Sequence, residues 1–216
     1  LAFEKGYRGG LRVATGDVDG DGAMEIIVAE SGGPDAHGRV RVFSRNHDLR
    51  AEWFAFPEEV MHQELNLAVG DIDGDEKAEI LVTRPDTVNS TIAVFNGEGK
   101  LDSQTAGMVT SFPEEHIGVT MTVGHFHDSS VMEIIAMPYG NVTARVRFFD
   151  AMGSRIGEMT PLGSDYHDRV VVSAIDTTGD KRDELILAHT ENTEEAVIVV
   201  TTDTTPKKLG AFRALS

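Results

Sequence analysis

The chain has 216 residues, with 19 Lys and Arg against 36 Asp and Glu, a formal net charge of −17 and no cysteine. A surface that acidic repels phosphates, which argues against nucleic acid and anionic membranes and in favour of divalent cations, basic partners or neutral glycans. The missing cysteines exclude disulfides, zinc–thiolate sites and thiol nucleophiles. No apolar run approaches the ~18 residues of a membrane-spanning helix, so no membrane insertion is expected.

The chain opens on "LAFEKGYRGG" (1–10), with no basic-then-apolar leader. Starting at Leu1, it reads as cut or processed from something longer. Ala2-Phe3 resembles the end of a strand, like Ala55-Phe56 and Ala211-Phe212. A short apolar stretch, Val13–Gly16, then enters an acidic loop, and a β-branched run follows at Glu25–Ala29. Next come the alternating "RVRVF" (39–43) and the aromatic-rich "EWFAFP" (52–57). Val, Ile and Phe at period two, bounded by Gly, Asn and Asp, are strand signals.

The same order returns three times. "VATGDVDGDGAMEIIVAE" (13–30) is followed by "LAVGDIDGDEKAEILVTR" (67–84), "MTVGHFHDSSVMEIIAMP" (121–138) and "VSAIDTTGDKRDELILAH" (172–189). The loops start at 17, 71, 125 and 176, spaced 54, 54 and 51 residues apart. "TIAVF" (91–95), "RVRFF" (145–149) and "AVIVV" (196–200) are the counterparts of "RVRVF". Four consecutive antiparallel strands in a unit of ~50 residues describe a propeller blade. The expected fold is therefore all-β, a propeller with blades at about 4–57, 58–113, 114–161 and 162–216. The four repeats make either a complete four-blade ring or part of a larger one.

In blade one, positions one, three, five and nine of the loop are Asp17, Asp19, Asp21 and Glu25. In blade two they are Asp71, Asp73, Asp75 and Glu79. Alternate residues of a tight loop turn their oxygens to a common centre, and the seventh residue, Ala23 or Lys77, can add a backbone carbonyl. Six or more hard oxygen ligands suit Ca2+ better than Mg2+, which demands stricter geometry. The loop is no EF-hand, because strands flank it and position twelve is Val28 or Val82. A solvated Asp-Gly turn would account for one such loop, but two copies at a fixed period argue for a cation. Blade four offers a third candidate site at Asp176, Thr178, Asp180, Arg182 and Glu184, with Thr178 in place of an acid. Blade three has His125, His127 and Ser129, and its calcium chemistry is lost.

These residues resemble the FG-GAP (VCBS-type) repeats of integrin α-subunit propellers and of bacterial surface proteins. "GYRGGLRVATGDVDGDG" (6–22) and "GGPDAHGRVRVF" (32–43) carry the resemblance, which extends over all four repeats. It implies a calcium-stabilised propeller, extracellular or on the cell surface, used for adhesion or recognition of protein or glycan. Glu76, where glycine is expected, the lost loop of blade three and Thr178 are its departures.

Nine residues before each loop stand Arg8, His62, His116 and His167. They fall in the connections between blades, opposite the acidic loops, on the face that the resemblance makes the ligand face. One reading is that each closes a blade boundary by bonding a backbone carbonyl. The other is a ring for an anionic or glycan ligand, helped by Tyr7 and Tyr166, with pH dependence near histidine's ordinary pKa of ~6.5. No hydrolase, P-loop or zinc-protease motif is present, so a non-catalytic role is expected. A polysaccharide-acting, lyase-like enzyme using these histidines with Asp165 and Asp168 is the alternative, and a structural spacer is another. Further blades from the parent chain, or a second copy, would complete a larger ring.

Overall fold

A computed structural model describes residues 2–56, 64–85, 88–127, 130–167, 169–189, 197–200 and 208–212, the residue at 189 and the last two segments as backbone. His62, Glu58-Glu59 and Asp168 lie outside the described residues. Among the described residues, sixteen strands form four antiparallel four-stranded sheets and no helix occurs. Blade one holds β1 (Gly10–Gly16), β2 (Glu25–Ser31), β3 (Arg39–Phe43) and β4 (Leu49–Phe54). Blade two holds β5 (Asn66–Gly70), β6 (Glu79–Thr83), β7 (Thr91–Phe95) and β8 (Met108–Thr110). Blade three has β9 (Val119–Gly124), β10 (Glu133–Pro138), β11 (Val146–Phe149) and β12 (Arg155–Met159). Blade four has β13 (Val170–Ile175), β14 (Glu184–His189), β15 (Val197–Val200) and β16 (Lys208–Phe212).

Strands pair in chain order, so the 1–2 and 3–4 loops leave one end of each sheet, and the 2–3 and 4–1 connections leave the other. The first strands stack in succession, β1 on β5, β5 on β9 and β9 on β13. Among the described residues no comparable interface joins β13 to β1, so the four blades as described form an open arc and not a closed four-blade ring.

The second strands explain the continuous apolar runs. Successive side chains of a strand point to opposite faces, and a sheet sandwiched between two others buries both. Ile80 and Val82 of β6 pack toward blade one with Ile27 and Val40, alongside Phe95 of their own blade. Leu81, between them, packs toward blade three with Ile134 and Phe149. Ile135 and Met137 then turn to blade four and meet Val172 and Leu185. The core is thus three inter-blade layers and not one centre.

Glycine sets how closely blades approach. Gly16, Gly70 and Gly124 each end a first strand, immediately before the loop. A Cβ on Gly16 would stand 2.4 Å from Val69 Cγ1, and one on Gly70 would stand 2.4 Å from Met132 Sδ and 2.8 Å from Val123 Cγ2. Blade four has Ile175 there, 51% exposed. Val13 and Met24 of blade one, at positions where later blades lean on their predecessors, are 62% exposed.

The 4–1 connections are held by arginine clasps. Arg39 and Arg41 lie over the ring of Phe3, and Arg145 and Arg147 lie over that of Phe112, a cation–π arrangement. Carboxylates complete each clasp: Glu4 and Glu30 on Arg39, Glu52 on Arg41, Glu114 and Glu158 on Arg147, and Glu115 on Arg145.

Gly70→Ala forces overpacking between blades two and three, and a loss of about 1–3 kcal/mol is expected. Thermal denaturation checks this; an unchanged melting temperature would mean that the blades do not meet as closely as described.

Candidate metal centre

Each acidic loop joins the first two strands of a blade, and its first aspartate organises the turn. Asp17 accepts hydrogen bonds from the backbone N–H of Gly20 (2.7 Å), Asp21 (3.2 Å) and Gly22 (2.7 Å). Asp71 does the same for Gly74 (2.6 Å) and Glu76 (3.1 Å), and Asp176 for Thr178, Gly179 and Lys181. The fourth residue has positive φ in all three loops, at Gly20, Gly74 and Gly179. So does the sixth, at Gly22, Glu76 and Lys181, although only blade one has glycine there. The same turn is therefore built from unequal sequences, with Glu76 and Lys181 held in a region that disfavours side chains.

The ninth residue reaches back into the loop. Glu25 accepts the N–H of Val18 at 3.2 Å, Glu79 that of Ile72 at 2.9 Å, and Glu184 that of Thr177 at 2.8 Å. In two loops the carboxylates converge. Oxygens of Asp17, Asp19 and Glu25 lie within 4.8 Å of one another, and so do those of Asp71, Asp73 and Glu79. Asp21 and Asp75 sit on the rim, each accepting the N–H two residues on, from Ala23 and Lys77. Among the described residues, Asp176, Asp180 and Glu184 form no such cluster, and Asp180 instead accepts the N–H of Arg182 at 2.9 Å.

Crowding and burial distort the proton affinities. Burial raises Glu79 to about 8, with the charges of Asp73, Asp102 and Asp71 adding to it. Burial likewise raises Glu25 and Asp73, again reinforced by neighbouring carboxylates. Asp17 goes the other way: burial favours its neutral form, but N–H donors led by Gly22 and Gly20 outweigh that and lower it. Three acids around one point, one of them only 4% exposed, fit a hard divalent cation.

Blade three is built otherwise. His127, at position three, places Nδ1 2.8 Å from the buried Glu133, and its N–H donates to the same carboxylate. The N–H of His125 donates to Asp183 of blade four at 2.7 Å. A ring nitrogen stands where blades one and two bring carboxylates together.

Neighbouring loops are also linked. The N–H of the eighth residue donates to the carbonyl of the previous blade's first residue, in Ala78 to Asp17 (2.7 Å), Met132 to Asp71 (3.1 Å) and Asp183 to His125 (2.7 Å). Sequence periodicity does not reveal this link, because backbone atoms make it.

The residues of the opposite face are separate from the loops. Arg8 is exposed and donates to the nearby carbonyls of Lys5 and Tyr7. His116 and His167 are exposed. Tyr7 gives its hydroxyl proton to the Gly10 carbonyl and stacks near Phe3, and Tyr166 packs into the core between blades three and four. Both tyrosines are half-buried and make packing or backbone contacts. Sequence reasoning missed Asp102 and Gln104, which approach loop two from the 3–4 connection; Gln104 donates to Asp75 at 3.1 Å. Their distance from the loop, 31 residues after Asp71 in the case of Asp102, hid them.

Residues 17–82 match the family described as FG-GAP-like repeat. No curated protein sequence matches the chain. Among solved structures, the rhamnogalacturonan lyase YesW is similar at TM-score 0.59 and 15% identity, over 88% of this chain and 42% of its own. The exotype rhamnogalacturonan lyase YesX is similar at TM-score 0.58 and 16% identity, over 82% and 39%. An Agrocybe aegerita lectin specific for non-reducing terminal N-acetylglucosamine is similar at TM-score 0.57 and 16% identity, over 94% and 53%. The chain thus spans about half or less of each of these proteins. At such identities the likeness is one of fold. Residues 17–82 are similar to an FG-GAP-like repeat, and the four four-stranded antiparallel sheets have the arrangement of β-propeller blades.

Proposed function

We propose that this chain is a calcium-stabilised propeller segment, acting outside the cell or at its surface, that recognises protein or glycan without turning it over. The carrying observation is how two acids of the 4–1 face are used. Glu4 and Glu114 are clasped by Arg39 and Arg147 and held at about 2. A carboxylate with so low a proton affinity is a poor general base at neutral pH. The loop acids sit at the other end of the blades and are engaged in holding the turn. The 4–1 face then presents exposed Arg8, His116 and His167, side chains suited to binding an anionic or hydrogen-bonding ligand. Asp17, Asp19, Asp21 and Glu25 would hold one Ca2+, and Asp71, Asp73, Asp75 and Glu79 a second, with the carbonyls of Ala23 and Lys77 as further donors. When bound, the cation offsets carboxylate repulsion and pins the hairpin.

Calcium removal is expected to lower the melting temperature, and Asp17→Ala with Asp71→Ala is expected to abolish most of that response. A melting curve indifferent to calcium in the wild type would refute the metal assignment. The stripped protein also has a defined pH response. Glu79 is raised from an ordinary 4.5 to about 8, so its contribution to stability is complete below about pH 4.5 and is lost as pH rises through about 8. Millimolar calcium, which favours the ionised form, should remove that decline. Melting temperatures across this range, with and without calcium, decide it.

A polysaccharide and surface-protein binding screen in millimolar calcium tests recognition. Retention without product is expected, and retention lost in His116→Ala/His167→Ala would place the ligand on the 4–1 face. Product formation would overturn the non-catalytic reading in favour of a lyase-like enzyme.

A further inference from the structure

The two complete loops differ in the charges around them. The seventh residue past the closing phenylalanine of the third strand is Arg50 in blade one and Asp102 in blade two. The strand pairing confirms that these places correspond, since Phe43 faces Leu49 and Phe95 faces Leu101. Arg50 lies in a groove with Asp19 and Glu25, bordered also by Lys77 of the next blade, whose side-chain stem runs over Gly20. The groove's other acids, Glu52 and Glu98, are paired with Arg41 and Lys100. Blade three has Val131 at the place of Lys77, and it is Val131 that stands over Gly74. Loop one therefore faces two cationic side chains, and loop two, at the corresponding places, faces a carboxylate and a valine.

Asp102 is only 9% exposed. Its Oδ1 accepts the N–H of Gln104 at 3.2 Å, and its Oδ2 is buried with no hydrogen-bond partner. Gln104, two residues on, donates to Asp75 of loop two at 3.1 Å. The segment is thus held against loop two. A buried anionic oxygen without a donor is costly, and neighbouring carboxylates add to the cost. A divalent cation in loop two would offset both.

We propose that Asp102 is a further acidic group of the blade-two cation site and makes loop two the tight divalent site of this protein, while Arg50 and Lys77 make loop one the weak one. The inference rests on the reading of the loops as calcium sites, and extends it by a residue outside the loop and an order of affinity. Sites of this chemistry are tuned by the number of charged ligands, and the change from Arg50 to Asp102 reverses one charge at a fixed place.

Calcium titrated calorimetrically into the stripped full chain tests it, using the wild type, Asp102→Asn, Asp71→Ala and Arg50→Asp. Two classes of site at least about tenfold apart are expected. Asp102→Asn should weaken the tight class about tenfold and leave the weak class unchanged, and Asp71→Ala should abolish the tight class. Arg50→Asp, which needs no change near blade two, should tighten the weak class and keeps the test decisive should Asp102→Asn fail to fold. A tight class that persists in Asp71→Ala, or that is unmoved in folded Asp102→Asn, overturns the inference and leaves calcium binding intact. So does an Arg50→Asp protein with an unchanged weak class. A wild type that takes up no calcium overturns the calcium reading itself.

Discussion

Blade-on-blade packing is the constraint on which the structure depends. A sheet of four short strands cannot bury its own faces, so each β6-like second strand must be covered on both sides by neighbours. That requires close approach at the inner strands, and the close approach requires a residue without a side chain. Gly16, Gly70 and Gly124 meet that need, each with a neighbouring blade's atoms where a Cβ would be. The backbone link from the eighth residue of one loop to the first of the preceding loop follows from the same proximity. Loop geometry and core packing are therefore one problem, solved at the same place.

This coupling gives the acidic loops a structural meaning. The first aspartate is both a wrapper of backbone N–H groups and the residue whose carbonyl receives the next blade. Whatever steadies the loop steadies the seam between blades. Blade three keeps the seam without aspartates at the first and third loop positions: His127 bonds Glu133, and the N–H of His125 donates to Asp183 of blade four. One loop design thus tolerates two electrostatic solutions, a carboxylate cluster fitted to a cation and an imidazole set against a lone buried glutamate.

The arginine clasps do at the other end what the loops do at the first. Phe3 and Phe112 are pinned between guanidinium groups whose carboxylate partners come from both the same blade and the incoming connection. The clasps occur in blades one and three, where the third strand reads Arg-x-Arg, and are replaced by Thr91 and Ala93 in blade two. A period of two blades in this feature lies over the single-blade period of the loops.

Most of the architecture was legible in the sequence. The period of 51–54 residues, the order of strands and the carboxylates of loops one and two are local patterns, and local patterns survive translation along the chain. Sequence also marked Thr178 as a defect, and the structure gathers no three-acid cluster there among the described residues. Tertiary structure alone decided that the four described blades form an open arc, and that Arg50 and Asp102 stand beside two otherwise similar loops. Each of these depends on which distant segments share a boundary. A carboxylate's neighbours in space, and not its spacing along the chain, set its charge environment.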